Sequence, residues 1–261
     1  KIQTCMAEEL TKAGIQVGDP VESVGGRPAH QLNELEALAL MRGRLGSKVE
    51  LVVAGKTHRL ACAAPPRQYI RVDPPQGGVA RIHLLDFRAG TAERLAAVLG
   101  KLSGMGLKGL VFDLRGNPGG LVDEGVAVSG MFIGGGTVVR IVSRDHIRTV
   151  EKNSPRPGPY RDLPLVVLMD GRSASVSEIV AMALRDHGRA KLVGTKSLGK
   201  GTVQVVLELM DGSALKLSNG RYYSPKGVPL YEGIEPDVEV AWDGQGEDAQ
   251  LARAREMLRR R

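Results

Sequence analysis

Three serines, Ser173, Ser175 and Ser177, stand between an apolar run, Leu165 to Met169, and a stretch whose apolar residues Ile179, Val180, Met182 and Ala183 recur at helical spacing. The run is short and rich in β-branched residues, as in a fully covered strand, and Asp170-Gly171 ends it. His187-Gly188 closes the helix as a C-cap pair. Serines at a helix entrance have two chemistries open to them. They can cap the free N–H groups there, or one of them can attack a carbonyl whose developing oxyanion those N–H groups and the helix dipole stabilise. The second needs a base, because a serine hydroxyl is a weak nucleophile near neutral pH. Lys200, between Gly199 and Gly201, is the candidate, and its alternative is a solvated surface charge. Histidine is the more familiar base, but His187 ends the same helix about three turns from Ser175. His30, His58, His83 and His146 are isolated and lack ligand spacing, so no metal is expected.

A second loop carries similar chemistry. Leu110 to Leu114 reads as a buried strand that delivers Arg115-Gly116-Asn117-Pro118-Gly119-Gly120, and a helical pattern follows from Leu121 to Phe132. A glycine-rich turn between strand and helix presents backbone N–H groups to an anion. The lysine and Ser/Thr of a phosphate-binding loop are missing. The glycines otherwise serve backbone geometry alone.

Four segments, DLRGNPGG (113–120), SASVSEIVA (173–181), LGKGTVQ (198–204) and GIEPDVEV (233–240), together resemble the S41 family of serine peptidases, the carboxyl-terminal processing or tail-specific proteases. They occur in the family's order and span most of the chain. The resemblance implies a mixed α/β peptidase core, a ClpP/crotonase-like β-β-α spiral, preceded by a truncated PDZ-like domain. It implies a serine endopeptidase that processes proteins near their C-termini through an acyl-enzyme. Ser175 corresponds to the nucleophile, Lys200 to the general base and Gln204 to the residue orienting the lysine. Gly119, with Gly120 beside it, and the Val176 N–H correspond to the oxyanion donors. Val176 stands where alanine is usual, and its branched side chain threatens to crowd that donor; Asp170 stands where asparagine is common. No cofactor is implied. The implied partners are proteins or peptides with flexible C-termini, membrane-associated ones included, and a homo-oligomer is compatible with the family. The implied location is extracytoplasmic, the bacterial periplasm or cell envelope ahead of a thylakoid lumen. Two rival readings stay open: a peptide-binding scaffold of the same fold that does not cleave, and a crotonase-like acyl-CoA enzyme, whose chemistry would not need Lys200.

Composition narrows the classes. A 42% hydrophobic and 25% charged chain of 261 residues is ordinary for a globular protein with real cores. The net charge of +7 is dispersed apart from Arg259 to Arg261, and 3% aromatics leave few stacking platforms, which argues against nucleic-acid binding. Cys5 and Cys62 are too few for a metal or disulfide framework, and a bridge between them stays open. No run reaches the ~18 apolar residues of a membrane span, and no signal peptide is legible.

Three regions are expected. Residues 1–63, the PDZ-like unit, contain a short helix at Ala7 to Ala13, turns at Gly18-Asp19 and Gly25-Gly26, an amphipathic helix from Leu32 to Arg42, and a hairpin of Val49 to Val53 with Thr57 to Ala61. The carboxylate-binding loop of such a unit is expected upstream of Lys1. Residues 64–243 form the peptidase core, entered through a linker punctuated by Pro65, Pro66, Pro74 and Pro75. Its strands are read at Val79 to Leu85, Val138 to Val142, Arg148 to Glu151 and Thr202 to Leu209, with a turn at Asp211-Gly212, a returning strand from Ser213 to Leu217, and a helix from Thr91 to Met105. Residues 244–261 hold a terminal helix, Asp248 to Leu258. Gln204 can touch Lys200 only if the chain bends at Gly199 and Gly201, since four strand residues span ~13 Å.

Overall fold

A computed structural model describes residues 10, 12–16, 18–32, 36–37, 40–41, 46–62, 68–144, 149–154, 157–208 and 214–259. Most of the expected helices at Ala7 to Ala13 and Leu32 to Arg42, Cys5, Pro65, Pro66, the Asp211-Gly212 turn, and Arg260 and Arg261 lie outside the described residues. Contacts divide the chain into two compact units, Lys1–Tyr69 and Ile70–Arg261.

The first unit is built on a four-stranded antiparallel sheet, in the order β2 (Arg27–Pro28), β1 (Val21–Val24), β3 (Lys48–Val53), β4 (Lys56–Ala61). The expected hairpin is the β3–β4 pair, turned at Ala54-Gly55 with positive φ at both residues. Strict alternation in β3 buries Val49, Leu51 and Val53 on one face, where they meet Val24, Leu60 and Cys62.

The second unit contains two sheets. The larger has the order β14 (Val238–Glu239), β11 (Ala190–Gly194), β10 (Leu165–Met169), β7 (Gly109–Asp113), β6 (Val79–Leu84), β5 (Ile70–Gln76); every pair is parallel except β5–β6. β7 and β10 are buried along their whole length, which explains why their sequences are continuous apolar runs rather than alternating ones. Crossovers run through helices α1 (Thr91–Gly104), α2 (Val122–Gly130) and α3 (Val176–Asp186), and α4 (Ala249–Arg259) packs against β7, β10 and β11. The smaller, antiparallel sheet has the order β12 (Thr202–Glu208), β13 (Ala214–Tyr223), β8 (Gly136–Ser143), β9 (Thr149–Ser154).

One expectation is corrected here. Pro74 and Pro75 do not lie in a linker; they belong to β5, the edge strand of the large sheet. The ladder with β6 skips from Asp73 to Gln76, so the two residues that lack an N–H sit where no ladder bond is required.

Candidate active site

Because β7 and β10 are parallel neighbours in register, the loops at their carboxyl ends emerge side by side. One is the glycine-rich loop 115–120 and the other is the serine turn 170–175. Buried hydrogen bonds lock them together. The Ala174 N–H and the Ser177 hydroxyl both donate to the Asn117 carbonyl, at 3.0 and 2.9 Å. The Ser173 hydroxyl donates to the Leu114 carbonyl at 2.9 Å, and Asp170 Oδ1 accepts the Gly116 N–H at 2.9 Å. Of the three serines, Ser173 and Ser177 are therefore spent on structure.

Ser175 differs from both. It is half-buried at the N-cap of α3 with φ +56° and ψ −114°, and only it and Ala54 among the described non-glycine residues have positive φ. Such a conformation costs roughly 1–3 kcal/mol. It is the sharp strand-to-helix turn that lifts a serine clear of its neighbours. In the first turn of α3 the Ser177 and Ile179 N–H groups donate to the Ala174 and Ser175 carbonyls and the Glu178 N–H to the Ser175 side chain in a capping box, which leaves the Val176 N–H.

Gly119 and Gly120 behave differently. The Gly119 N–H donates to Asn117 Oδ1 at 2.8 Å, whereas the exposed Gly120 N–H has no acceptor among the described residues. A side chain at Gly119 would stand 2.9 Å from both Ser175 Cβ and the Val176 nitrogen, so only glycine lets this loop press against the serine turn. Phe87 pins the far side: its N–H donates to the Gly119 carbonyl and its carbonyl accepts from Leu121. Val176 is buried, and its N–H also lacks an acceptor among the described residues. The expected crowding does not occur, because the extra methyl groups turn onto α2, where Gly125 leaves the room: a Cβ there would run into Val176 Cγ1.

Lys200 and Gln204 are both exposed. The chain does bend before β12, with φ +84° at Gly199, and Gln204 pairs with Ser218 just after a bulge. No hydrogen bond joins the side chains of Ser175, Lys200 and Gln204 among the described residues. The backbones of Ser175 and Lys200 are joined through Glu178. This fully buried carboxylate accepts from the Ser197 hydroxyl at 2.5 Å and the Gly199 N–H at 2.7 Å through Oε1, and from the N–H groups of Ser175 at 2.7 Å and Lys200 at 3.0 Å through Oε2. A shared acceptor holds the Ser175 and Lys200 nitrogens within about 6 Å of each other, a gap that lysine's four-carbon stem spans. Ser-x-x-Glu is a capping-box pattern legible in the sequence, yet it was the structure that revealed this second duty. His187 Nε2–H donates to the Thr137 carbonyl at 2.8 Å, at the opposite end of α3.

Behind the glycine-rich loop lies a second polar cluster. Arg115 binds Asp113 through Nε and Nη2, Asp248 through both terminal nitrogens, and Gln250 Oε1 at 2.9 Å, with Trp242 5.3 Å from the guanidinium. Arg81 adds a second cation to Asp113. Burial pushes the Asp113 carboxyl up, but hydrogen bonds from Arg115 and the charges of His83, Arg115 and Arg81 outweigh it, and the net value falls below the ordinary carboxylate range. Asp248 follows the same balance, with burial opposed by Arg115 and the Leu251 N–H. No sequence pattern pairs residues so far apart.

The sequence profile of Peptidase family S41 matches residues 78–240, and the chain belongs to that family. A carboxy-terminal-processing protease of Bartonella bacilliformis is 34% identical over 243 residues, covering 88% of this chain and 55% of its own. A carboxyl-terminal-processing protease of Picosynechococcus is 36% identical, covering 87% and 57%. The chain thus spans little more than half the length of the curated relatives it matches. Its mixed α/β fold is similar to the solved photosystem II D1 C-terminal processing protease, with a TM-score of 0.77 at 28% identity over 93% of this chain and 68% of that one. Among the described residues no helix is long and apolar enough to cross a membrane.

Proposed function

We propose that the chain is the working part of a serine endopeptidase that cuts proteins near their C-termini through an acyl-enzyme on Ser175. The observation that carries this reading is the Glu178 carboxylate shared by the backbones of Ser175 and Lys200, beside a serine held at positive φ. Lys200 Nζ takes the hydroxyl proton as Ser175 Oγ bonds to the scissile carbonyl carbon; the proton passes to the leaving amine, and Lys200 then activates the water that releases the acid. The N–H groups of Gly120 and Val176 stabilise both oxyanions, with Gly119 providing the close approach. Gln204 orients the lysine when the exposed Lys200 side chain turns inward. The Lys200 base sets this reading apart from an acyl-CoA enzyme, and the intact Ser175 sets it apart from a non-cleaving scaffold.

Its substrates are read as proteins with flexible C-termini, membrane-associated ones included, in an extracytoplasmic compartment, with a homo-oligomer compatible; the relatives' names, carboxyl-terminal-processing proteases, support action near C-termini. The N-terminal unit is read as PDZ-like and as the element that selects substrate. The test is incubation with an unstructured protein, followed by mass spectrometry of the fragments. Fragments ending close to the substrate's C-terminus are expected from the parent and not from Ser175→Ala; equal cleavage by both would end the proposal.

A further inference from the structure

The small antiparallel sheet carries a pocket of about 310 Å³ lined by Thr202, Ser218, Arg221, Tyr223, the last two residues of β8, Val142 and Ser143, and Arg144 just after it. Two arginines stand in it, Arg144 and Arg221, both exposed, and neither meets a carboxylate among the described residues. Most described arginines of the second unit are tied to acids or carbonyls, whereas these two have no such partner among the described residues. Arg221 is also held in place, its guanidinium lying 4.7 Å from the centroid of the Tyr231 ring.

The pocket is fixed relative to Lys200. Thr202, which lines it, lies two residues beyond Lys200, at most ~7 Å away along the chain, and pairs directly with Arg221. Side chains at Gly199 or Gly201 would collide with the backbone of Leu230 to Gly233, so the lysine loop is seated on the segment that carries Tyr231. The Tyr222 N–H donates to the Gly201 carbonyl at 2.8 Å and joins the same frame.

We propose that Arg144 and Arg221, with the Thr202 hydroxyl, form a subsite for a carboxylate of the substrate peptide, either its C-terminus or an acidic side chain close to the scissile bond. Planar guanidinium forks match a carboxylate in two-point geometry, and a peptide offers no other common anion. The volume suits one or two residues. The subsite rests on the peptidase reading for its place in catalysis, but its ligand chemistry is testable by binding alone.

The test uses the full chain carrying Ser175→Ala and three fluorescein-labelled versions of one ten-residue Ala/Ser/Leu peptide. The first has a glutamate near its amidated end, the second is neutral with a free C-terminus, and the third is neutral and amidated. Fluorescence anisotropy should show one carboxylate peptide binding about tenfold more tightly than the third, with the advantage shrinking as salt is raised. Which of the two gains identifies the source of the carboxylate. With Arg144→Gln and Arg221→Gln combined, the advantage should collapse toward unity, and Arg221→Lys should retain part of it. Equal binding of all three peptides overturns the subsite whatever the variants do, and so does an advantage that survives the double substitution in a protein whose melting is unchanged. Failure of the parent chain to cleave any of the peptides would instead count against the peptidase reading and leave the binding result standing.

Discussion

Replacing Glu178 by glutamine keeps the side chain's shape and converts one acceptor oxygen into a donor, in a site where four donors and no acceptor face it. If the amide nitrogen takes the Oε2 position, the N–H groups of Ser175 and Lys200 both lose their partner. If it takes the Oε1 position, the Ser197 hydroxyl can turn, but the Gly199 N–H is orphaned. Each buried orphan costs about 1–3 kcal/mol and the amide settles in the second orientation, so the variant should lose roughly 1–3 kcal/mol and melt some 2–12 °C lower. The lysine loop also loses its Gly199 tie to the shared anchor, and a displacement of about 1 Å at the reacting groups costs on the order of 100-fold in rate. The assay is thermal unfolding beside kcat and KM for an unstructured peptide, taken well below the melting point. A positioning role predicts a fall in kcat with KM little changed. A variant that melts within 2 °C of the parent and turns over within twofold of it would refute the reasoning.

Gly125→Ala should destabilise the second unit by about 1–3 kcal/mol through collision with Val176, and Val176→Ala should restore most of the loss when the two are combined, as read from a double-mutant cycle of melting curves. Gly120→Ala, whose side chain would strike the Phe87 carbonyl, should lower both stability and turnover; turnover at the parent rate would remove Gly120 from the oxyanion assignment. Asp113 and Asp248 both titrate below their ordinary range when folded, so their stabilisation is complete above the unfolded value near ~3.9 and is lost as pH falls through the folded values. Chemical denaturation should accordingly show stability level above about pH 5 and falling steeply below pH 4, with Asp248→Asn flattening the fall. Asp113→Asn, which strips Arg115 and Arg81 of a buried counter-charge, should cost about 3–5 kcal/mol at neutral pH.

The apolar runs at Leu165 to Met169 and Leu110 to Leu114 were readable because a strand buried on both faces has no alternation to blur. The serine turn, the glycine-rich loop and the helix between Ser175 and Gly188 followed from local punctuation. What escaped was set by partners distant in the chain. Pro74 and Pro75 signal a break to any local rule, and only their place on a sheet edge makes them strand residues. Val176 looked like a crowding defect until Gly125 on another helix supplied the space. The Arg115–Asp248 pair joins a loop to the last helix across more than half the second unit. Glu178 carried no role in the sequence reading, and its hold on the lysine loop depends on how the segment after β11 folds back.

The central claim is that Lys200 activates Ser175, and it is tested most directly by reacting the intact chain with a fluorophosphonate and following the mass of the adduct with time. The account predicts one adduct, located on Ser175 by peptide mapping, and a rate that drops by at least about 100-fold in Lys200→Ala at unchanged melting temperature. An adduct on another residue, or a Lys200→Ala chain that labels as fast as the parent, would contradict it.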